Sequence, residues 1–159
     1  MTRSLPSVLT IIVAGALATI AFDAFGKVLA PMFDYARLSP VGLAGSVIKS
    51  VFGAGYRPGA EALHIAAGLL PYPHGWLLLA RPIWQATLPQ VPAVGVASAY
   101  GVVLWVFALY GMAHLVAGMK PFLGFTGITW VALWGHVVYA LVMVAGLELR
   151  LTVPALRTA

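Results

Sequence analysis

The chain has 159 residues, 62% of them hydrophobic and 8% charged, with nine Lys and Arg against four Asp and Glu for a formal charge of +5. A soluble domain carries about 25% charged residues, and so few charges cannot coat a water-soluble globule of this size. The composition excludes a cytosolic domain, a disordered tail and a nucleic-acid module, and it leaves an integral membrane protein whose first partner is the lipid bilayer.

A spanning helix needs roughly 20 apolar residues, and the chain offers four such runs. The first covers about residues 5–30, behind a basic start at Arg3. It exceeds the roughly 7–15 apolar residues of a secretory leader and therefore reads as a span. The following stretch mixes Asp34, Arg37, Lys49 and Arg57 with Gly and Pro. Within it, residues 41–52 predict a short interfacial helix with Lys49 at the headgroups. The second run, about 61–84, is interrupted by Pro71-Tyr72-Pro73-His74-Gly75, which predicts a broken span with His74 in a loop. Arg81-Pro82 and Pro89-Gln90-Val91-Pro92 are expected to end that segment. Two clean spans follow at about 94–118 and 124–149, joined by a tight turn at Lys120-Pro121.

The predicted fold is all-α: one transmembrane domain over residues 1–159, a four-helix bundle with a Pro-broken second span and an interfacial helix in the first loop. Four spans would place Arg3, Arg81, Arg150 and Arg157 on one side, and Lys27, Arg37, Lys49, Arg57 and Lys120 on the other. That balance gives no orientation by the positive-inside rule. The chain has no cysteine, so disulfides, thiolate metal sites and a Cys nucleophile are excluded, and the redox compartment is not readable.

Polar residues inside spans are costly unless paired or hydrated, so they are the functional candidates. Asp23 and Lys27 form an i,i+4 intramembrane pair; Glu61 and His64 share a face of the second span. With His114 they fall in the outer half of the membrane on one side. Asp23, Glu61, His64 and His114 are the candidate metal ligands, and His64 and His114, counted at nearly one depth, are the candidate axial pair for haem or another tetrapyrrole. His136 counts about 10 Å deeper by helical rise and is not expected to pair with either. It shares a stripe with Thr129, Tyr139 and Met143, which makes His136 and Tyr139 candidate cofactor contacts.

Each feature also has a structural reading. Asp23 and Lys27 neutralise each other, Lys27 snorkels to the interface, Glu61 suits a helix start, and the shallow histidines hydrogen-bond there. Ala14 with Ala18, and Ala97 with Gly101, are small-residue pairs for close helix contact. Trp76 and Trp84 read as interface markers, Trp130 and Trp134 as an outward ridge.

Ala18-Thr19 followed by Asp23, Glu61-x-x-His64, the Tyr72/Gly75-Trp76 break and Gly135-His136-x-x-Tyr139 together resemble a family of small bacterial four-helix inner-membrane proteins. The resemblance implies four helices and the bacterial inner (cytoplasmic) membrane, and it implies no activity. Short loops, small-residue contact faces and the lack of a catalytic set point to a non-catalytic accessory or assembly subunit of a larger, energy-transducing membrane complex. Its partners would be other membrane subunits or further copies of the chain. The alternative is a haem-, pigment- or metal-binding membrane protein using histidines of the second to fourth spans. A third reading is a proton or small-solute pathway through Asp23 and His136.

Overall fold

The computed structural model describes residues 6–152. The predicted span start at residue 5, Arg3 and Arg157 lie outside the described residues, as does the side chain of Arg150. Among the described residues the chain is all-helical, with no strand.

Helix α1 (Val8–Met32) opens on Ser7, whose hydroxyl accepts from the Thr10 amide at 3.2 Å, satisfying one of the free N–H groups of a helix start. Near its end the helix widens into a π turn over Phe25–Leu29. Pro31 lies just beyond that turn. It has no N–H for a carbonyl of the preceding turn, and a π turn is a common way to absorb such a lesion. The carbonyls four and five residues earlier find other donors: Arg37 Nε donates to Lys27 O at 3.0 Å and Leu38 N to Gly26 O at 2.9 Å. The link after α1 is thereby folded back onto it.

Helix α2 (Pro40–Phe52) begins with Pro at its first position and stops at Gly53, whose φ of 76° needs a residue without a Cβ. Helix α3 (Arg57–Leu69) also carries Pro in its first turn, and α2 packs along α3. Helix α4 (residues 71–87) follows a break at Leu70, where φ is −116° and ψ is −75°.

This geometry corrects two expectations. Pro71-Tyr72-Pro73-His74-Gly75 is helical, because Pro71 and Pro73 fall in a first turn whose N–H groups have no intrahelical acceptor to lose. His74 is therefore in a helix, its Nδ1 2.7 Å from Leu70 O across the break. Nor does Arg81-Pro82 end the segment: a π turn over Trp76–Ala80 precedes the proline and the helix runs on to Thr87.

Helix α5 (Ala93–Val116) has a π-helical second half from Phe107. Helix α6 (Gly127–Thr152) is the centre of the bundle. Helices α1, α5 and α6 are each long and apolar enough to cross a membrane. Both α1 and α5 pack against α6, antiparallel to it, and the small residues make this close approach feasible. Ala14 lies against Gly146, and Ala18 and Ala97 are buried. A Cβ added to Gly101 would sit 2.7 Å from Val137 Cα and 2.8 Å from His136 O. Because both neighbours are α6 backbone, Gly101→Ala must push two helices apart. The expected loss is about 1–3 kcal/mol, read as a lowered unfolding midpoint in detergent; an unchanged midpoint would contradict this packing.

Leu17, Ile20, Val103, Trp130 and Trp134 are exposed around the outside, a surface suited to lipid. Trp130 and Trp134 thus take the expected outward position. Trp76 does not mark an interface: it is fully buried, and its Nε1 donates to Glu148 at 3.4 Å. Beside it, Arg81 Nε lies 3.0 Å from Glu148 Oε1, an ion pair between α4 and α6 with the arginine side chain 6% exposed. Arg81 reads as a span-end charge in the sequence; the structure buries it with Glu148.

Candidate functional site

A cavity of about 360 Å³ lies where α1, α2, α3, α5 and α6 meet. Its wall is mostly aliphatic, with Leu43 and Val47 from α2, Leu63 from α3, Leu109 and Met112 from α5 and Ile128 from α6. The space exists because α3 breaks at Leu70 and α2 bridges the resulting gap. Helices α1 and α3 come closest where a Cβ on Gly15 would lie 2.6 Å from Gly68 O, and where Gly68 in turn faces Thr19. Tyr139 closes that corner, its hydroxyl donating to Gly68 O at 2.5 Å.

The polar side chains on this wall are few, and most of their hydrogens are committed. Thr19 donates to Gly15 O at 2.8 Å. His136 is 6% exposed and its Nδ1 lies 2.7 Å from Ala132 O. A carbonyl only accepts, so Nδ1 carries the hydrogen and the neutral ring keeps its lone pair on Nε2. His64 Nε2 lies 3.1 Å from Asp23 Oδ1, and a carboxylate likewise only accepts, so the lone pair of a neutral His64 is on Nδ1. Asp23 Oδ2 also accepts from Lys27 Nζ at 2.8 Å. The result is a Lys27–Asp23–His64 chain linking α1 to α3, with the predicted intramembrane pair as its first step.

His64 and His136 meet at Phe22. The Phe22 ring centroid is 6.2 Å from that of His64 and 5.0 Å from that of His136, the latter edge-on. Depth counting separated these two histidines because it began the second span at Glu61. The helix begins at Arg57, which puts His64 roughly 10 Å along it rather than one turn.

His114 is elsewhere: its Nδ1 is 2.7 Å from Met119 O and its ring packs on Tyr110, at the exit of α5. It does not line the cavity. Glu61 points away as well, to Arg57 Nε at 3.0 Å. The structure therefore brings His64, His136 and Tyr139 to one cavity, and Asp23 and Lys27 to its edge. Among the described residues no three His, Cys, Asp or Glu side chains converge as a metal site requires. A metal carried inside an organic ligand needs only one axial nitrogen, and His136 Nε2 has the right chemistry for that. Its ring is oriented through Nδ1 by a backbone carbonyl, as in many metal-ligating histidines.

No family model, curated protein or solved structure matches the chain.

Sequence reasoning missed two contributors. Helix α2, expected at the interface, supplies one whole wall of the cavity. Tyr72, read as part of a break, also lines it and packs edge-on against Tyr139 with centroids 5.6 Å apart. Each was visible only as apolar or aromatic content, since the partners come from elements distant in sequence.

Proposed function

We propose that the chain is a four-helix membrane protein, with α3 and α4 together as its broken second crossing, and that it binds one small, largely apolar molecule. The observation that carries this reading is the cavity of about 360 Å³. Its volume falls within the roughly 300–1,000 Å³ of ligand pockets, which are typically apolar with a few placed polar groups. Here those groups are the imidazoles of His136 and His64, which offer lone pairs to a ligand hydroxyl; at about 360 Å³ the cavity is too small for a tetrapyrrole macrocycle. Binding rather than turnover is the function proposed, because the Thr19 and Tyr139 hydroxyls are both held by backbone carbonyls. An accessory place in a larger bacterial inner-membrane complex is compatible with this, since a holder of an apolar molecule can pass it to a neighbour within the bilayer.

Taking each chain carbon as about the ~30 Å³ share of a water molecule, the cavity has room for on the order of a dozen carbons. Native mass spectrometry of the detergent-released protein with added dodecanol should show a saturable 1:1 adduct. Absence of both an adduct and any co-purified small molecule would overturn the reading.

A further inference from the structure

A second cleft, of about 540 Å³, shares Leu38, Ser39, Pro40 and His64 with the apolar cavity as a common wall. Its character is opposite: Lys27, Arg37 and Arg57 line it together with Asp23 and Glu61. Two of the three cations are matched, Lys27 by Asp23 at 2.8 Å and Arg57 by Glu61 at 3.0 Å. Arg37 is not: no carboxylate among the described residues pairs with it.

Arg37 is nonetheless held in place. Its Nε donates to Lys27 O at 3.0 Å, a carbonyl that Pro31 cannot serve, and its two terminal nitrogens remain available. A guanidinium presents such nitrogens as a planar fork that matches a carboxylate in two parallel hydrogen bonds. Beside it, the Ser39 side chain makes no capping hydrogen bond to α2 and faces both spaces.

We propose that the ligand is a single-chain amphiphile with a carboxylate head: the chain lies in the apolar cavity past His64, and the head is taken by Arg37 in the charged cleft. This deepens the binding function proposed above and rests on it. One unmatched positive charge fits one monoanionic head. The two spaces lie in the order such a molecule requires, since the cleft is at the α1 end, the α2 start and the α3 start, while the cavity runs inward from there.

The test compares dodecanoate with dodecanol by native mass spectrometry on the full chain in neutral detergent. Dodecanoate should bind at least fivefold more tightly. Arg37→Gln should bring the two ligands to equal affinity while leaving dodecanol unchanged. Lys49→Gln removes one positive charge outside the cleft and should preserve the preference, which separates a local fork from net charge. Equal affinities in the wild-type chain, or a preference that survives Arg37→Gln, would overturn the carboxylate assignment with the apolar site intact. Failure of both ligands to bind would instead remove the underlying binding function, and this inference with it.

Discussion

Arg81→Met is expected to destabilise the protein by about 3–5 kcal/mol, the range for breaking one side of a buried ion pair. The Arg81 side chain is 6% exposed and that of Glu148 14%, with 3.0 Å between Nε and Oε1. Removing the guanidinium takes a countercharge 3.0 Å away from a largely buried carboxylate, which the Trp76 indole N–H also reaches at 3.4 Å. The same physics predicts the rescue. Replacing both charges by apolar side chains of similar length removes the desolvation cost of each along with their attraction, and such exchanges are often neutral or stabilising. Arg81→Met/Glu148→Met should therefore recover part of the loss, short by the cost of leaving the buried Trp76 indole N–H without its acceptor, about 1–3 kcal/mol. Thermal or denaturant unfolding in one detergent, run on the wild type, both single variants and the double variant, reads this directly. A neutral Arg81→Met, or a double variant worse than either single one, would contradict a buried pair between α4 and α6.

The pair also shows where sequence reading stopped. Charges near span ends read as interfacial, and Arg81 and Glu148 both sit where an end was expected. Their partnership arises because α4 continues past Pro82, and that continuation depends on a π turn that leaves no periodicity signal. Other features were legible. The three long apolar helices follow from hydropathy and length. The Asp23–Lys27 pair follows from i,i+4 spacing, and the burial of His136, Thr129 and Tyr139 from their common stripe. Gly101 and Ala14 were readable as contact residues because close helix approach needs small side chains.

The histidine pairing was half legible. His64 and His136 were each singled out, but straight-helix depth favoured His64 with His114. The true start of α3 at Arg57 and the commitment of His114 to the turn after α5 reverse that choice. Helix starts are weakly encoded: α2 begins within one residue of its expected start, whereas α3 begins at Arg57, about four residues before the expected start of the second span. The cavity itself is not a property of any segment. It appears only when the Leu70 break, the α2 bridge and the Gly15–Gly68 contact are combined.

The cavity's binding role makes the other large prediction. Ala108 and Ala132 both line it, and both are nearly fully buried. Leu at each adds three carbons toward the space and leaves the backbone carbonyl of residue 132, which holds His136 Nδ1, in place. Filling a cavity with apolar atoms tends to preserve or raise stability, provided the side chains find room. Ligand binding should fall sharply in the same variant, so stability and binding move apart. The decisive measurement is the dodecanol titration by native mass spectrometry on wild type and Ala108→Leu/Ala132→Leu, with unfolding midpoints as the check on folding. The binding account predicts a 1:1 adduct for the wild type and at least tenfold weaker binding for a double variant that is still folded. Equal affinity in the two proteins would place the ligand outside this cavity and contradict the account.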